Sequence, residues 1–383
     1  MPQSQAPCII FRDDAAATER RFENPLEIIE AWDATDFEPA LARLEQARGD
    51  GKWLAGYFSY EAGYLLEPKL RPLLPDGRRT PLLRFGVFDH PTDRPLGPSS
   101  EPTQNPISDP RAAWTFDEYD QRFQALHRHL RLGDCYQANL TFPVAARWAG
   151  EPIDAFANLA ARQPVRYGAL VLLGEPIILS RSPELFFAID EDGWIEAHPM
   201  KGTAPRGKTK AEDARQKRFL KTDEKNRAEN RMIVDLLRND ISLVSEVGTL
   251  DVPELFRIET YPTVHQMVSR VRAKLSPGLT IERLFAALFP CGSITGAPKI
   301  RAMEILRELE QQPRDAYCGA IGWISPHGPM RFNVAIRTIT LFARGAAVYN
   351  VGGGVVFDST AESEYKECLL KARFATGTEP ISS

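Results

Sequence analysis

Three consecutive segments decide the fold class: Phe332-Asn-Val-Ala-Ile-Arg-Thr-Ile-Thr-Leu-Phe342, then Ala346-Ala-Val-Tyr-Asn-Val-Gly-Gly-Gly-Val355, then Ala361-Glu-Ser-Glu-Tyr-Lys-Glu-Cys-Leu-Leu-Lys-Ala-Arg-Phe-Ala375. The first two are rich in β-branched and aromatic residues and predict strands over Phe332–Phe342 and Ala346–Val351, whereas the third predicts a helix. Working backwards, Gly319–Ile324 reads as a strand and Pro298–Glu310 as a helix with proline at its first turn. Further strands are expected at Leu185–Ile189, Tyr167–Leu173, Tyr136–Ala146 and Trp53–Tyr60. Thr115 and Glu118 form a capping box, Tyr119, Phe123, Leu126 and Leu130 repeat at helical spacing, and Gly133 ends that helix. Strands and helices do not alternate strictly, so the expectation is an α+β fold and not a parallel α/β sheet.

The chain has 383 residues with a formal net charge of −4, an ordinary globular composition. It lacks the basic footprint of a nucleic-acid binder. No apolar run reaches membrane-spanning length, and the first residues do not resemble a secretory signal. Five cysteines with no C-x-x-C spacing argue against a disulfide framework or zinc knuckle and suggest the cytoplasm. Six prolines between positions 91 and 110 predict an irregular surface connection over 91–112. That connection separates a small lobe, 1–90, from an integrated region, 113–383. The charged stretch 204–228 reads as a solvated loop leading into a helix that continues to about Arg238.

Four constellations carry chemical content. Cys291-Gly-Ser-Ile-Thr-Gly-Ala-Pro-Lys299 is a glycine-rich turn feeding a helix, whose free backbone N–H groups can hold an anion; a plain tight turn is the alternative. The triple glycine Gly352–Gly354 suits close approach of a backbone or ligand, or a bulge. Glu364, Glu367 and Lys371 share one helical face, where two carboxylates can bind a hard cation or simply make a salt-bridged surface. Lys201, in His198-Pro-Met-Lys-Gly-Thr-Ala-Pro-Arg206, is a nucleophile if its pKa is lowered and otherwise one solvated lysine among many.

Together these segments resemble the chorismate-utilising enzymes: the anthranilate, aminodeoxychorismate, isochorismate and salicylate synthases. The resemblance rests on ordered blocks from about Phe116 to Ala375. They are Gly133-Asp-Cys-Tyr-Gln-Ala-Asn-Leu140, Ser182-Pro-Glu-Leu-Phe186, Pro199-Met-Lys-Gly-Thr203, Arg227 to Asp240, Gly292-Ser-Ile-Thr-Gly-Ala-Pro-Lys299, Phe332-Asn-Val-Ala-Ile-Arg-Thr338, the triple glycine and the last helix. It implies one large unit of antiparallel sheets packed against each other with helices outside, as in anthranilate synthase component I. It also implies Mg²⁺ held by Glu229, Glu364 and Glu367, directly or through water. Glu184 is then a general acid for the departing C4 hydroxyl, and His265 a histidine beside the ring. Arg337, Lys371 and the amides of Gly352, Gly353 and Gly354 would grip the substrate carboxylates, with Thr203 and the turn Gly292, Ser293 and Thr295 close by.

Two positions narrow the resemblance. Isochorismate and salicylate synthases carry a water-activating lysine where this chain has Gln137, so ammonia is the expected nucleophile. Anthranilate synthases read Pro-x-Ala-Gly-Thr where this chain has Pro199-Met-Lys-Gly-Thr203, and lysine there marks the aminodeoxychorismate synthases of the p-aminobenzoate and folate branch. In those, the lysine attacks C2 and is expelled when ammonia enters C4. Anthranilate synthesis and a non-catalytic chorismate-binding subunit are the rival expectations. Met200, Leu185 and Cys291 depart from the residues common in the family. No glutaminase module is evident, so ammonia is expected from a separate glutamine amidotransferase subunit.

Overall fold

The computed structural model describes residues 6–96, 105–261 and 264–382. Among these residues the strands form one sheet of 11 and one of 10. Neighbouring strands run antiparallel, apart from the short parallel pair of Ile381–Ser382 with Ile107–Ala112. The sheets pack on each other through a cluster that includes Ile9, Phe22, Ala55, Tyr57, Phe88, Val171, Ile178 and Ile321. Helices cover the outer faces. Phe116–Leu132, Lys299–Glu310 and Ala361–Thr376 bury apolar stripes against the larger sheet. Ala34–Gly49, Glu224–Ser242 and Ile281–Leu288 do the same on the smaller one. The α+β fold with antiparallel sheets and external helices is thus the one expected.

Helix Phe116–Leu132 begins where the Thr115 side chain accepts from the Glu118 N–H and stops at Gly133, whose φ of 77° is left-handed. Its buried face is Tyr119, Phe123, Leu126 and Leu130, each contributing about 1.5–3 kcal/mol of apolar burial.

Three expectations need correction. The run Phe332–Phe342 is two strands in different sheets: Met330–Val334 belongs to the smaller and Thr338–Phe342 to the larger. A continuous apolar run does not reveal where a chain changes sheets, because both halves are buried. The proline-rich region is partly regular. Thr92–Pro95 is an edge strand, and Ile107–Ala112 pairs with Gln137–Trp148 with a register shift between Ser108 and Arg111. Proline is tolerated on edges and at bulges, where no ladder N–H is needed. The middle of that connection, 97–104, lies outside the described residues. Within 204–228, Lys210–Thr222 is a helix opened by a Thr209–Glu212 capping box, a signal that the charge density masked.

Residues before 91 supply strands to both sheets: Cys8–Asp13 and Thr18–Glu23 to the larger, and Glu27–Ala31, Trp53–Phe58 and Leu83–Phe88 to the smaller.

Candidate active site

The site forms where the two sheets exchange chain. The strand Ile177–Ser182 lies in the larger sheet and Leu185–Ile189 in the smaller, with Glu184 in the step between them. The step is pinned by the Ser182 hydroxyl donating to the Val334 carbonyl at 2.6 Å and by the Val334 N–H donating to the Glu184 carbonyl at 3.1 Å. Arg337 occupies the second exchange, after Val334, with a left-handed φ of 50°. Among the described residues its guanidinium has no protein partner.

The triple glycine does not weaken its strand. Ala346–Val356 runs through it, with Gly352 opposite Thr141, Gly353 opposite Leu140 and Gly354 opposite Asn139. Each glycine lies beneath a different functional group. The Lys371 ammonium donates to the Gly352 carbonyl at 2.9 Å. A Cβ on Gly353 would sit 2.8 Å from Glu364 Oε2. A Cβ on Gly354 would sit 2.9 Å from Gln137 Nε2 and 3.1 Å from Lys201 Nζ. Side chains at Gly353 and Gly354 would crowd Glu364, Gln137 and Lys201, and one at Gly352 would meet Thr141 and Leu140, which is the close approach the sequence pattern suggested.

Lys201 reaches this point from the other sheet. Its strand, Met200–Pro205, carries a register shift between Met200 and Thr203, and Gly202 has a φ of 90°. Such a bulge re-aims the side chain beside it. Burial lowers the Lys201 pKa, the Lys371 charge lowers it further, and Glu229, Glu184 and Glu367 oppose the shift without reversing it. Uncharged amine is therefore more accessible than in an ordinary lysine. Gln137 is buried and its Nε2 lacks a hydrogen-bond partner, so an amide donor faces the same space.

Glu184 is 6 % exposed, and the Ser293 hydroxyl donates to its Oε1 at 2.7 Å. Burial pushes its pKa up to about 7, although Ser293 and Lys201 pull it down. Ser293 lies in a buried single turn, Gly292–Ile294, followed by Thr295, whose hydroxyl donates to the Cys291 carbonyl at 3.0 Å. A Cβ on Gly292 would strike the Leu236 side chain at 2.1 Å, so the turn packs directly on the helix Glu224–Ser242.

Glu364 and Glu367 project from the last helix, Ala361–Thr376. Burial and the Glu367 charge raise Glu364 above the usual carboxylate range, and the Ser359 hydroxyl donates to its Oε1 at 2.7 Å. Burial also opposes ionisation of Glu367, but Lys371, at 2.7 Å, and Lys201 outweigh it and hold that carboxyl low. Among the described residues no three His, Cys, Asp or Glu side chains gather closely enough to hold a metal ion, so Glu229 does not complete a cage with this pair.

The structure therefore brings together Lys201, Gln137, Glu184, Ser293, Glu364, Glu367, Lys371 and the triple glycine, with Glu229 within electrostatic reach of Lys201. Two expected residues have other partners. His265 is fully buried, with Nε2 2.9 Å from Asp213 Oδ1 and Nδ1 3.1 Å from Thr260 Oγ1, so both ring nitrogens are engaged away from Lys201. Thr203 is exposed and donates to Gln266 Oε1 at 2.9 Å. Sequence reasoning missed Ser359, just ahead of the last helix, and Arg314 and Glu310, which brace the Gly292–Ile294 turn from behind. For Arg314 no spacing signal exists, because it lies beyond the helix end at Gln311, where φ is 60°.

A lysine with a lowered pKa and a carboxylic acid poised near neutrality, beside a glycine floor to which Lys371 donates, make a site suited to acid-assisted chemistry at a nucleophile. Residues 6–377 match the chorismate binding enzyme family, and the chain belongs to it. It is 45 % identical to aminodeoxychorismate synthase component 1 of Klebsiella aerogenes over 261 residues, covering 68 % of this chain and 57 % of that protein. Against anthranilate synthase component 1 1 of Haloarcula marismortui it is 40 % identical over 259 residues, covering 68 % of this chain and 53 % of that one. The matched stretch thus spans less than two thirds of the length of either relative. The solved anthranilate synthase component I of Streptococcus pneumoniae superposes with a TM-score of 0.79 at 25 % identity, over 98 % of this chain and 93 % of that one.

Proposed function

We propose that this chain converts chorismate and ammonia to 4-amino-4-deoxychorismate through a covalent Lys201 intermediate. The observation that carries the reading is the convergence of Lys201 Nζ and Gln137 Nε2 on Gly354, on a glycine floor that also underlies Glu364 and Lys371. The names and identities of the relatives support it.

In this reading the neutral Lys201 amine attacks ring C2, the two ring double bonds shift, and the C4–O bond breaks. The hydroxyl leaves as water with the Glu184 proton, which a group titrating near 7 can supply at neutral pH. Ammonia then attacks C4, the double bonds shift back, and the C2–Nζ bond breaks to release the lysine. Gln137 carries no basic nitrogen to activate water, which favours amination over hydroxylation. Arg337, Lys371 and the strand amides at Gly352 to Gly354 hold the substrate carboxylates. His265, engaged with Asp213, and the exposed Thr203 act in this scheme by shaping the strand pair that carries Lys201.

The residues fit a hard cation of the Mg²⁺ type. Glu364 and Glu367 are a half-buried carboxylate pair on one helical face, and Mg²⁺ usually takes one or two protein carboxylates and keeps waters. Glu229 would reach such an ion through water. When bound, Mg²⁺ offsets the substrate's negative charge. Ammonia comes, in this reading, from a separate glutamine amidotransferase subunit in the cytoplasm. Among the described residues, no helix is long and apolar enough to cross a membrane.

The deciding experiment incubates the chain with chorismate, Mg²⁺ and ammonium, identifies the product by mass, and quenches rapidly for peptide mapping. The expected results are 4-amino-4-deoxychorismate and, with ammonia withheld, a transient adduct on the Lys201 peptide. Lys201→Ala should remove the adduct and slow amination by about 10³-fold or more. Anthranilate as the product, or Lys201→Ala aminating at the wild-type rate, would overturn the reading.

A further inference from the structure

We infer that the buried Arg314–Glu310 pair is a positioning element that holds the turn carrying Ser293 against the strand carrying Gln137. Arg314 is 2 % exposed and Glu310 7 %. The Glu310 carboxylate takes two bonds from the guanidinium, Nε to Oε2 at 2.8 Å and Nη2 to Oε1 at 2.7 Å. Its Oε1 also accepts the Thr141 N–H at 2.9 Å, which ties the pair to the strand Gln137–Trp148. The remaining Arg314 donors go to two backbone carbonyls: Nη1 to Ile294 at 3.0 Å and Nη2 to Asn139 at 2.7 Å.

Those two carbonyls belong to opposite walls of the site. Ile294 follows Ser293, whose hydroxyl orients the acid Glu184. Asn139 stands in register with Gly354, the glycine beneath Gln137 and Lys201. One planar guanidinium therefore spans from the support of the acid to the floor under the amine. The turn and strand are otherwise joined here by the Asn139 N–H donating to the Thr295 carbonyl at 2.8 Å and by the two-residue ladder of Gly296–Ala297. Arg314 is itself held from behind. Its N–H donates to Glu61 Oε1 at 2.7 Å, and its guanidinium carbon lies 4.3 Å from the centre of the Tyr60 ring. A buried ion pair is a poor source of net stability, since apolar replacements often do as well. Its distinctive contribution is geometric: a rigid fork that saturates one carboxylate and two carbonyls at fixed angles, which a lysine cannot reproduce.

The inference rests on the roles proposed for Glu184 and Lys201, so its test has a readout that needs no turnover. Arg314→Lys keeps a charge beside Glu310 but loses the fork. The turn then relaxes and the Ser293–Glu184 bond lengthens. In the substrate-free protein, ¹³C-carboxyl NMR should show Glu184 titrating higher than in wild type, because the hydrogen bond that lowers it is weakened. With substrate, kcat should fall by about 100-fold, as for a reacting group misplaced by an ångström. KM should change by less than about threefold, since Arg337 and Lys371, the charged groups proposed to hold the substrate carboxylates, are not bonded to Arg314. An unshifted Glu184 titration in folded Arg314→Lys, or wild-type kcat, overturns the inference. If that variant does not fold, Glu310→Gln decides. It weakens the anchor to Thr141 and should shift Glu184 in the same direction by a smaller amount, and an unshifted titration overturns the inference there too. Should wild-type protein fail to aminate chorismate, the functional reading falls while the titration still decides the role of Arg314.

Discussion

Two glutamates of the same site, Glu184 and Glu367, are in opposite electrostatic states. Glu184 lies in the seam between the sheets, meets one hydroxyl, and is pushed up to about 7. Glu367 lies on a helix at the rim and, with Lys371 as its partner, is held below the usual carboxylate range. The difference comes from solvent and from placement of cations. Lys201 acts on both carboxyls, but only at the rim is there a second lysine in direct contact. One residue type thus supplies a proton donor in the seam and a fixed negative charge at the rim, the division of labour that acid-assisted chemistry on an anion requires.

That contrast is open to attack at several points. The largest expected effect is at the seam. Glu184→Gln cannot donate a proton, and kcat should fall by about 10²–10⁴-fold. The active form of wild type has Glu184 protonated, so its rate falls as pH rises through about 7. In Glu184→Gln that alkaline limb should disappear from the kcat profile. A retained alkaline limb near 7 would assign that titration to another group.

Changes at the rim should act on the cation instead. Glu364→Gln and Glu367→Gln are each expected to raise the Mg²⁺ concentration for half-maximal activity by roughly 10–100-fold, with the Glu184 limb unmoved. Direct titration by calorimetry provides a check free of turnover. Unaltered Mg²⁺ affinity in both variants would remove the rim glutamates from metal binding.

The floor joins the two regions and should give a milder effect. Gly354→Ala places a methyl 2.9 Å from Gln137 Nε2 and 3.1 Å from Lys201 Nζ. Both are side-chain ends that can yield, so the fold should survive. We expect about a tenfold loss in kcat from the displaced amine. An unimpaired Gly354→Ala enzyme would mean that the amine need not occupy this position.

The last effect is on stability and leaves the rate aside. Glu184 titrates about two and a half pH units above its ordinary value of 4.5, so the folded state binds the proton more tightly than the unfolded chain. Its favourable contribution is complete below 4.5 and is lost as pH rises through about 7, where ionising the buried group costs on the order of 3 kcal/mol. Urea unfolding should find Glu184→Gln gaining on wild type between pH 4.5 and 7, and holding that gain at pH 8. A difference independent of pH would contradict the buried-acid description.

Much of the architecture was legible because local signals agreed. The capping box at Thr115, the stop at Gly133 and the apolar spacing between them specify one helix without tertiary help. The strand Leu185–Ile189 and the helix Ala361–Thr376 begin where composition says they should. The switch of sheets between Val334 and Thr338 left no mark, because apolar residues serve equally on either side of it. The prolines of Thr92–Pro95 and Ile107–Ala112 suggested an irregular surface connection because their edge and bulge positions are properties of the assembled sheet.

The site divides in the same way. Residue types and spacing, with the resemblance to the chorismate-utilising enzymes, determined which side chains are candidates: spacing singled out a lysine between Met200 and Gly202, Glu364 and Glu367 on one helical face and three glycines in a strand, and the resemblance added Glu184 and glutamine instead of lysine at position 137. Those are one-dimensional facts, available because chemistry restricts which side chains can do the work. Whether Lys201 is merely solvated, which carboxyl keeps its proton, why each glycine is needed, and that His265 turns toward Asp213 were decided only by tertiary structure. The reason is that pKa and reach depend on burial and on charges from distant parts of the chain. Lys201 meets Lys371 and Gly354 because two sheets fold together, and Arg314 reaches Asn139 from 175 residues away because a helix end lies behind the same turn.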